Sequence, residues 1–170
     1  MILSDRDIRE GMKEGRIEIT PEPEDVQIQP SSLDLRLSND FIIPTLGGNT
    51  KIDVFDTIIL QPGDSLLGST IEYIELPDSL CARVEGRSSW GRKFLNVHST
   101  AGFLDTGFKG NITLEFTNNG KEGIELKKGM RICQLVFEEL SSPAERPYGS
   151  KGLNSKYQGQ KGVTESKLEE

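Results

Sequence analysis

The chain reads as an all-β protein, a jelly-roll-like or distorted β-barrel with one short N-terminal helix. Two observations predict this. Short apolar runs recur along the chain, each closed by a Gly, Pro or Asn turn signal, and 18 glycines among 170 residues supply the turns. Where apolar residues alternate, the period is two: Leu33, Leu35 and Leu37 are separated by Asp34 and Arg36, the pattern of a half-buried strand. The length suits one domain, residues 1–170, since domains cluster near ~100–150 residues and extend to ~250.

The elements follow in order. Ser4 with Asp7 forms an Asp-type capping box, predicting a helix through Ile8 and Met12 that stops near Gly15. Thr20 to Pro30 is rich in Pro and acid and reads as a connector. After the Leu33–Leu37 strand come strand candidates at Phe41–Ile43, Asp53–Leu60, Asp64–Tyr73, Leu80–Glu85, Asn111–Thr117, Ile124–Leu126 and Arg131–Glu138. Pro44, Gly47-Gly48, Pro62-Gly63, Pro77-Asp78, Asn118–Gly120 and Lys128-Gly129 break the chain between them. Ser88 to Phe94 reads as a short helix carrying Trp90. From Ser141 onward, residues 141–170 are polar and contain Gly149, Gly152, Gly159 and Gly162, a tail expected to be mobile unless something holds it. There is no internal repeat.

The net charge of −7 argues against a general nucleic-acid binder, which relies on Lys and Arg to neutralise phosphates. A local cluster of cations would still serve a single nucleotide. No run approaches the ~20 apolar residues of a membrane span. The charged start, SDRDIREGMKEGR, is unlike a signal peptide, so the expected location is cytoplasmic. Cys81 and Cys133 lie far apart and neither belongs to a C-x-x-C, so both are expected as reduced core residues.

Chemistry concentrates in Cys81–Phe116. Arg87 and Arg92 offer planar forks that pair with phosphate oxygens, Ser88 and Ser89 add hydroxyl donors, and Gly86 permits close backbone approach. A helix starting at Ser88 would add N–H donors for an anion; the plainer reading is a surface turn with two solvated arginines. Asp105 lies in a Gly-flanked turn, where an Asp also serves simply to bond backbone. In NITLEF, alternation places Ile112, Leu114 and Phe116 on one face and Thr113 with Glu115 on the other. That second face could line a site or could merely be solvated. The single histidine, His98, reads as structural.

GRSSWGR, HSTAGFLDTGFKGNITLEF, KGMRICQL and SKYQGQKG occur in fixed order, after LSDRDIREGMKEGRI and QPSSLDLRL. This series resembles the dCTP deaminase branch of the dUTPase-like superfamily, from Met1 to about Ser166. The resemblance implies that Arg87, Ser88, Ser89, Trp90, Gly91 and Arg92 line a triphosphate site. It gives Glu115 the role of general acid and base. Asp105 would hold the deoxyribose and help a water attack the α-phosphate, and the Ala101 carbonyl with Ser88 would hold a water. Thr113, Leu114 and Gln134 count as substrate contacts, and Tyr148, Lys156 and Gln160 as contacts from a tail that covers the nucleotide. Trp90 either packs or borders the base, and Asp34 supports a subunit contact or a turn.

Gly102-Phe103 follows Thr100-Ala101 where enzymes of this family that release dUTP commonly carry His and a basic residue. That version resembles the bifunctional, dUMP-forming enzymes and also true dUTPases, and the reading favoured is dCTP to dUMP, ammonia and pyrophosphate. The alternatives are a monofunctional deaminase releasing dUTP, a dUTPase, or a non-catalytic nucleotide sensor. The resemblance further implies a homotrimer with sites between subunits, magnesium entering with the triphosphate, and dTTP as a candidate feedback inhibitor. Zinc deaminases need H-x-E and P-C-x-x-C; with one His and no C-x-x-C, a zinc-free route is expected.

Overall fold

A computed structural model describes residues 1–54 and 57–168. Helix α1, Asp5–Lys13, starts as the capping box predicts: Asp7 N–H donates to Ser4 Oγ at 3.3 Å and Ser4 N–H to Asp7 Oδ2 at 3.0 Å. Gly15, with a φ of +70°, turns the chain out of it. Ile8 and Leu3 enter the core, so the helix is held by one apolar face.

The strands are β1 Glu18–Thr20, β2 Ile28–Gln29, β3 Ser32–Thr45, β4 Gly48–Asp53, β5 Thr57–Leu60, β6 Ser65–Glu75 and β7 Leu80–Gly86. After helix α2, Ser88–Gly91, come β8 Leu95–Asn96, β9 Phe103–Leu104, β10 Lys109–Asn118, β11 Ile124–Lys127 and β12 Arg131–Glu139. The connector Thr20–Pro30 thus contains a 3-10 turn at Asp25–Gln27 and the short β2. Gly48 opens a strand rather than a break, because β4 folds back on β3 with Thr45 opposite Gly48. Of the strand expected at Asp53–Leu60, Phe55 and Asp56 lie outside the described residues; Asp53 ends β4 and Thr57–Leu60 pairs with β11.

A large sheet runs in the order β8-β10-β6-β3-β12-β7-β9, with β11-β5 forming a second, two-stranded sheet. The pairings are antiparallel. Strand β3 makes the corner. Its first half pairs with β12 through Leu33–Arg36, its second half with β6 and β4, and its register against β6 shifts between Leu37 and Phe41. Such a bulge bends a strand and lets one sheet curl into a half-barrel.

Inside the curl, Leu33, Leu35, Leu37, Phe41, Leu114 and Phe116 are at most 1% exposed. Burying each such side chain contributes ~1.5–3 kcal/mol. Gly68 is required beneath them, since a Cβ there would meet Phe116 at 2.9 Å and Phe41 at 3.1 Å. Glu72 is buried but satisfied, accepting from the Arg36 backbone N–H at 2.8 Å, Arg36 Nε at 2.7 Å and Gln27 Nε2 at 3.0 Å. Cys133 is fully buried, whereas Cys81 is only half-buried on β7, so one of the two expected core cysteines is not in the core.

The tail lies along β10. Tyr148 N–H donates to Thr106 O at 2.7 Å, Gly159 N–H to Lys109 O at 2.7 Å, and Asn111 N–H to Gln160 O at 3.1 Å. Val163 is buried at 4% exposure. These contacts offset the polar, Gly-rich composition that predicted mobility. Among the described residues no helix is long and apolar enough to cross a membrane.

Candidate active site

Strand β10 alternates as expected, burying Ile112, Leu114 and Phe116 and turning Thr113 and Glu115 to the other face. That face, the turn before β10 and the tail enclose a cavity of about 320 Å³. Among the expected residues it gathers Ala101, Phe103, Asp105, Thr113, Glu115, Tyr148 and Gln160.

Glu115 is held on both sides of its Cα. Its N–H donates to Val97 O at 3.0 Å, and its Oε2 accepts the Ser99 N–H at 2.7 Å. One carboxylate oxygen is therefore fixed by backbone, and Oε1 has no protein partner among the described residues. That geometry suits a carboxylate that must meet a water in one orientation. Asp105 starts a tight turn in which Phe108 N–H donates to Asp105 O at 3.2 Å, and Gly107 takes a φ of +78°. A Cβ on Gly107 would meet Pro147 at 2.7 Å, so the tail packs directly on this turn.

Gly102 has a packing reason as well. Val84 N–H donates to Gly102 O at 2.7 Å, and a Cβ on Gly102 would lie 3.0 Å from His98 Cε1, His98 Nε2 and Val84 O. His98 is structural in that sense, wedged under Gly102 with a buried Nδ1 that has no partner among the described residues. Phe103, on β9, is 57% exposed at the cavity. Gln160 donates through Nε2 to Asn111 O at 2.6 Å, while its buried Oε1 has no partner among the described residues and could accept from a ligand.

The remaining expected residues lie elsewhere on the single chain. Leu114 is wholly buried on the opposite face of β10, so only its backbone can approach a substrate. Lys156 does not line the cavity; its Nζ donates to Lys167 O. Arg87, Ser88, Ser89, Trp90, Gly91, Arg92 and Gln134 are also absent from its lining, and form a second cluster.

That second cluster is built on Asp34. Its side chain is 2% exposed, and Oδ2 lies 3.2 Å from Arg87 Nε and 3.0 Å from Arg131 NH1. The Arg131 carbonyl then accepts from Arg87 NH1 at 3.0 Å and from Trp90 Nε1 at 3.1 Å. Burial pushes the Asp34 carboxyl above its usual range, against the opposing pull of Arg87 and Arg131. Trp90 therefore packs, and Asp34 orders the loop that leads into α2. Ser88, Ser89, Gly91 and Arg92 stand exposed on that loop, and Gln134 sits beside it, opposite Asp34 on β3 and Glu85 on β7.

Sequence reasoning missed Phe108, Tyr157 and Thr164, which also line the cavity. Tyr157 stood between Lys156 and Gln160 in SKYQGQ, and an aromatic flanked by two tail contacts was the available signal. Ser99, whose backbone fixes Glu115, carried no signal because any residue provides that N–H.

The dCTP deaminase-like family matches residues 2–140. Proteins named "dCTP deaminase, dUMP-forming" from Methanosphaera stadtmanae and Dictyoglomus thermophilum are 46% and 48% identical, over 99% of this chain and 94% and 95% of theirs. A protein from Haloarcula marismortui named "dCTP deaminase" is 46% identical over 99% of this chain and 95% of its own. Among solved structures, the 2'-deoxycytidine 5'-triphosphate deaminase of Agrobacterium tumefaciens superposes with a TM-score of 0.68 at 23% identity, covering 80% of this chain and 47% of that one, and so shares the fold. With the family match spanning most of the sequence and near-full-length relatives well above chance, the chain belongs to the dCTP deaminase-like family.

Proposed function

We propose that the protein hydrolyses dCTP to dUMP, ammonia and pyrophosphate in one site. The observation that carries this is the presence of two carboxylates, Asp105 and Glu115, on one cavity with Thr113 and Ala101. Glu115 takes a proton from a water that attacks C4 of cytosine, then passes a proton to the departing ammonia; one carboxylate serves both transfers. Asp105 holds the deoxyribose and assists a second water at the α-phosphate, breaking its bond to the bridging oxygen so that pyrophosphate leaves. Phe103, Tyr148 and the tail keep bulk water away.

A triphosphate needs cations, and the Arg87–Arg92 loop lies outside this cavity on the same chain. We read it as the part that a neighbouring copy provides, in a homotrimer with sites between subunits. Asp34 and Arg131 hold that loop in shape before a ligand arrives. Magnesium would enter with the substrate's triphosphate and would neutralise part of its charge. No role is given to zinc, the location is cytoplasmic, and dTTP is the candidate feedback inhibitor.

Incubating the protein with dCTP and magnesium and identifying products decides the matter. The expected products are dUMP and pyrophosphate with little free dUTP. Stoichiometric dUTP without pyrophosphate would replace this reading with the monofunctional deaminase, the name the Haloarcula relative carries. Cleavage of dUTP alone would indicate a dUTPase, and absence of turnover a sensor.

A further inference from the structure

We propose that Asp40 is a positioning residue that latches the end of the tail to the barrel and so sets the tail side of the cavity; its consequence for dCTP rests on the function proposed above. Three successive tail N–H groups are each captured by a different side chain of the barrel. Gly162 N–H donates to Asn111 Oδ1 at 3.0 Å, Val163 N–H to Asp40 Oδ2, and Thr164 N–H to Thr113 Oγ1 at 3.2 Å. Asp40 alone among these partners is charged, and a charge-assisted bond is roughly twice as strong as a neutral one. Its other oxygen accepts from Ser69 Oγ, and Ser69 is fully buried. The carboxylate is thus itself held from the barrel side.

The packing is equally specific. Val163 buries its side chain at 4% exposure immediately beyond the latch. Gly162 takes a φ of +65°, and any Cβ there would collide with Asp40 Oδ2. On either side of this point, Gln160 and Thr164 line the cavity. Gln160 is also joined to β10 by the Asn111 N–H bond to its carbonyl. The latch therefore lies between two tail residues that line the cavity and fixes where they sit. Burial would raise the Asp40 carboxyl, but the Ser69 hydroxyl and the Val163 N–H hold it below its usual range. The carboxylate is thus charged at neutral pH and available to accept the Val163 N–H.

The test is amide hydrogen exchange of the unliganded full chain, read by mass spectrometry over residues 157–166. A hydrogen bond to a charged group is worth enough to shift an opening equilibrium about 10- to 100-fold. Asp40→Ala should speed exchange there by that factor, with β10 and β12 core amides unchanged. Asp40→Asn keeps one acceptor oxygen and should fall between. Gly162→Ala pushes a methyl at Asp40 from the tail side, leaves the barrel sequence intact, and should reproduce Asp40→Ala even if that variant folds poorly. In the dCTP assay the same variants should raise KM more than they lower kcat, because the tail must be ordered on binding. Unchanged tail exchange in both Asp40→Ala and Gly162→Ala would overturn the latch. That exchange readout needs no turnover, so failure of dCTP as substrate would sink the proposed function and leave the latch to be judged independently.

Discussion

Replacing Gly102 by Ala puts the subfamily position under a direct physical test. Ala is compatible with the backbone there, since Gly102 is not among the positive-φ glycines. A Gly to Ala change without strain would stabilise by ~0.4–1 kcal/mol through the unfolded chain. The space says otherwise. The new Cβ would lie 3.0 Å from His98 Cε1, His98 Nε2 and Val84 O, against an ordinary contact of ~3.5–4.0 Å. The imidazole could shift, but Val84 O belongs to β7, and Val84 N–H is bonded to Gly102 O itself. The methyl cannot be accommodated without moving that pair. Overpacking of this kind costs ~1–3 kcal/mol.

For a chain of this size, ~1 kcal/mol shifts Tm by ~2–4 °C, so Gly102→Ala should lower Tm by about 2–12 °C. Thermal unfolding at one fixed protein concentration measures it, because association would make Tm concentration-dependent. Gly47→Ala is the control: nothing lies within 4 Å of its Cβ and its φ is not positive, so Tm should hold or rise by up to ~4 °C. Removing the imidazole in His98→Ala relieves two of the three contacts, and the double variant should recover part of the loss, a coupling of ~0.5–3 kcal/mol. If Gly102→Ala melts with Gly47→Ala, the packing account of Gly102 is wrong. If it melts lower as expected, its dUMP to dUTP ratio then reports whether the segment Thr100–Phe103 also sets the product.

Three other outcomes are expected. Glu115→Gln keeps the size but removes the proton shuttle, so deamination should drop ~10²–10⁴-fold while dCTP still binds by calorimetry; near-normal turnover would remove Glu115 from the mechanism. A zinc-selective chelator should leave deamination intact and EDTA should suppress it; activity lost to the first and restored only by zinc would contradict the zinc-free route. Burial pushes the thiols of both Cys81 and Cys133 up, and a raised pKa leaves less reactive thiolate at a given pH, so iodoacetamide at pH 8 should modify them slowly in the folded protein and quickly in urea. Rapid double modification of the folded protein would show that neither thiol is shielded.

The sequence exposed whatever depends on a local period and hid whatever depends on which distant strands meet. The capping box of α1 and the two faces of β10 were readable because three or four residues decide them. The continuity of β3 was not: Ser38-Asn39-Asp40 looks like a polar break between two short strands, yet it is where the strand bends from β12 to β6. The same bend leaves Asp40 half-buried beside Ser69, ready for a tail segment more than a hundred residues away. The site followed the same rule. Arg87 and Glu115 belong to one run of motifs, and proximity along the chain suggests proximity in space. In the sheet, Arg87 follows directly on the end of β7 and Glu115 lies on β10, with β12, β3 and β6 between those strands. Motif order placed these residues in one series along the chain, while the fold sets them on two surfaces of it. The bonds that give each surface its shape, Ser99 N–H to Glu115 and Arg131 O to Trp90, come from main-chain groups that every residue possesses. A sequence cannot mark such groups as special, and only their placement by the curl of the sheet makes them so.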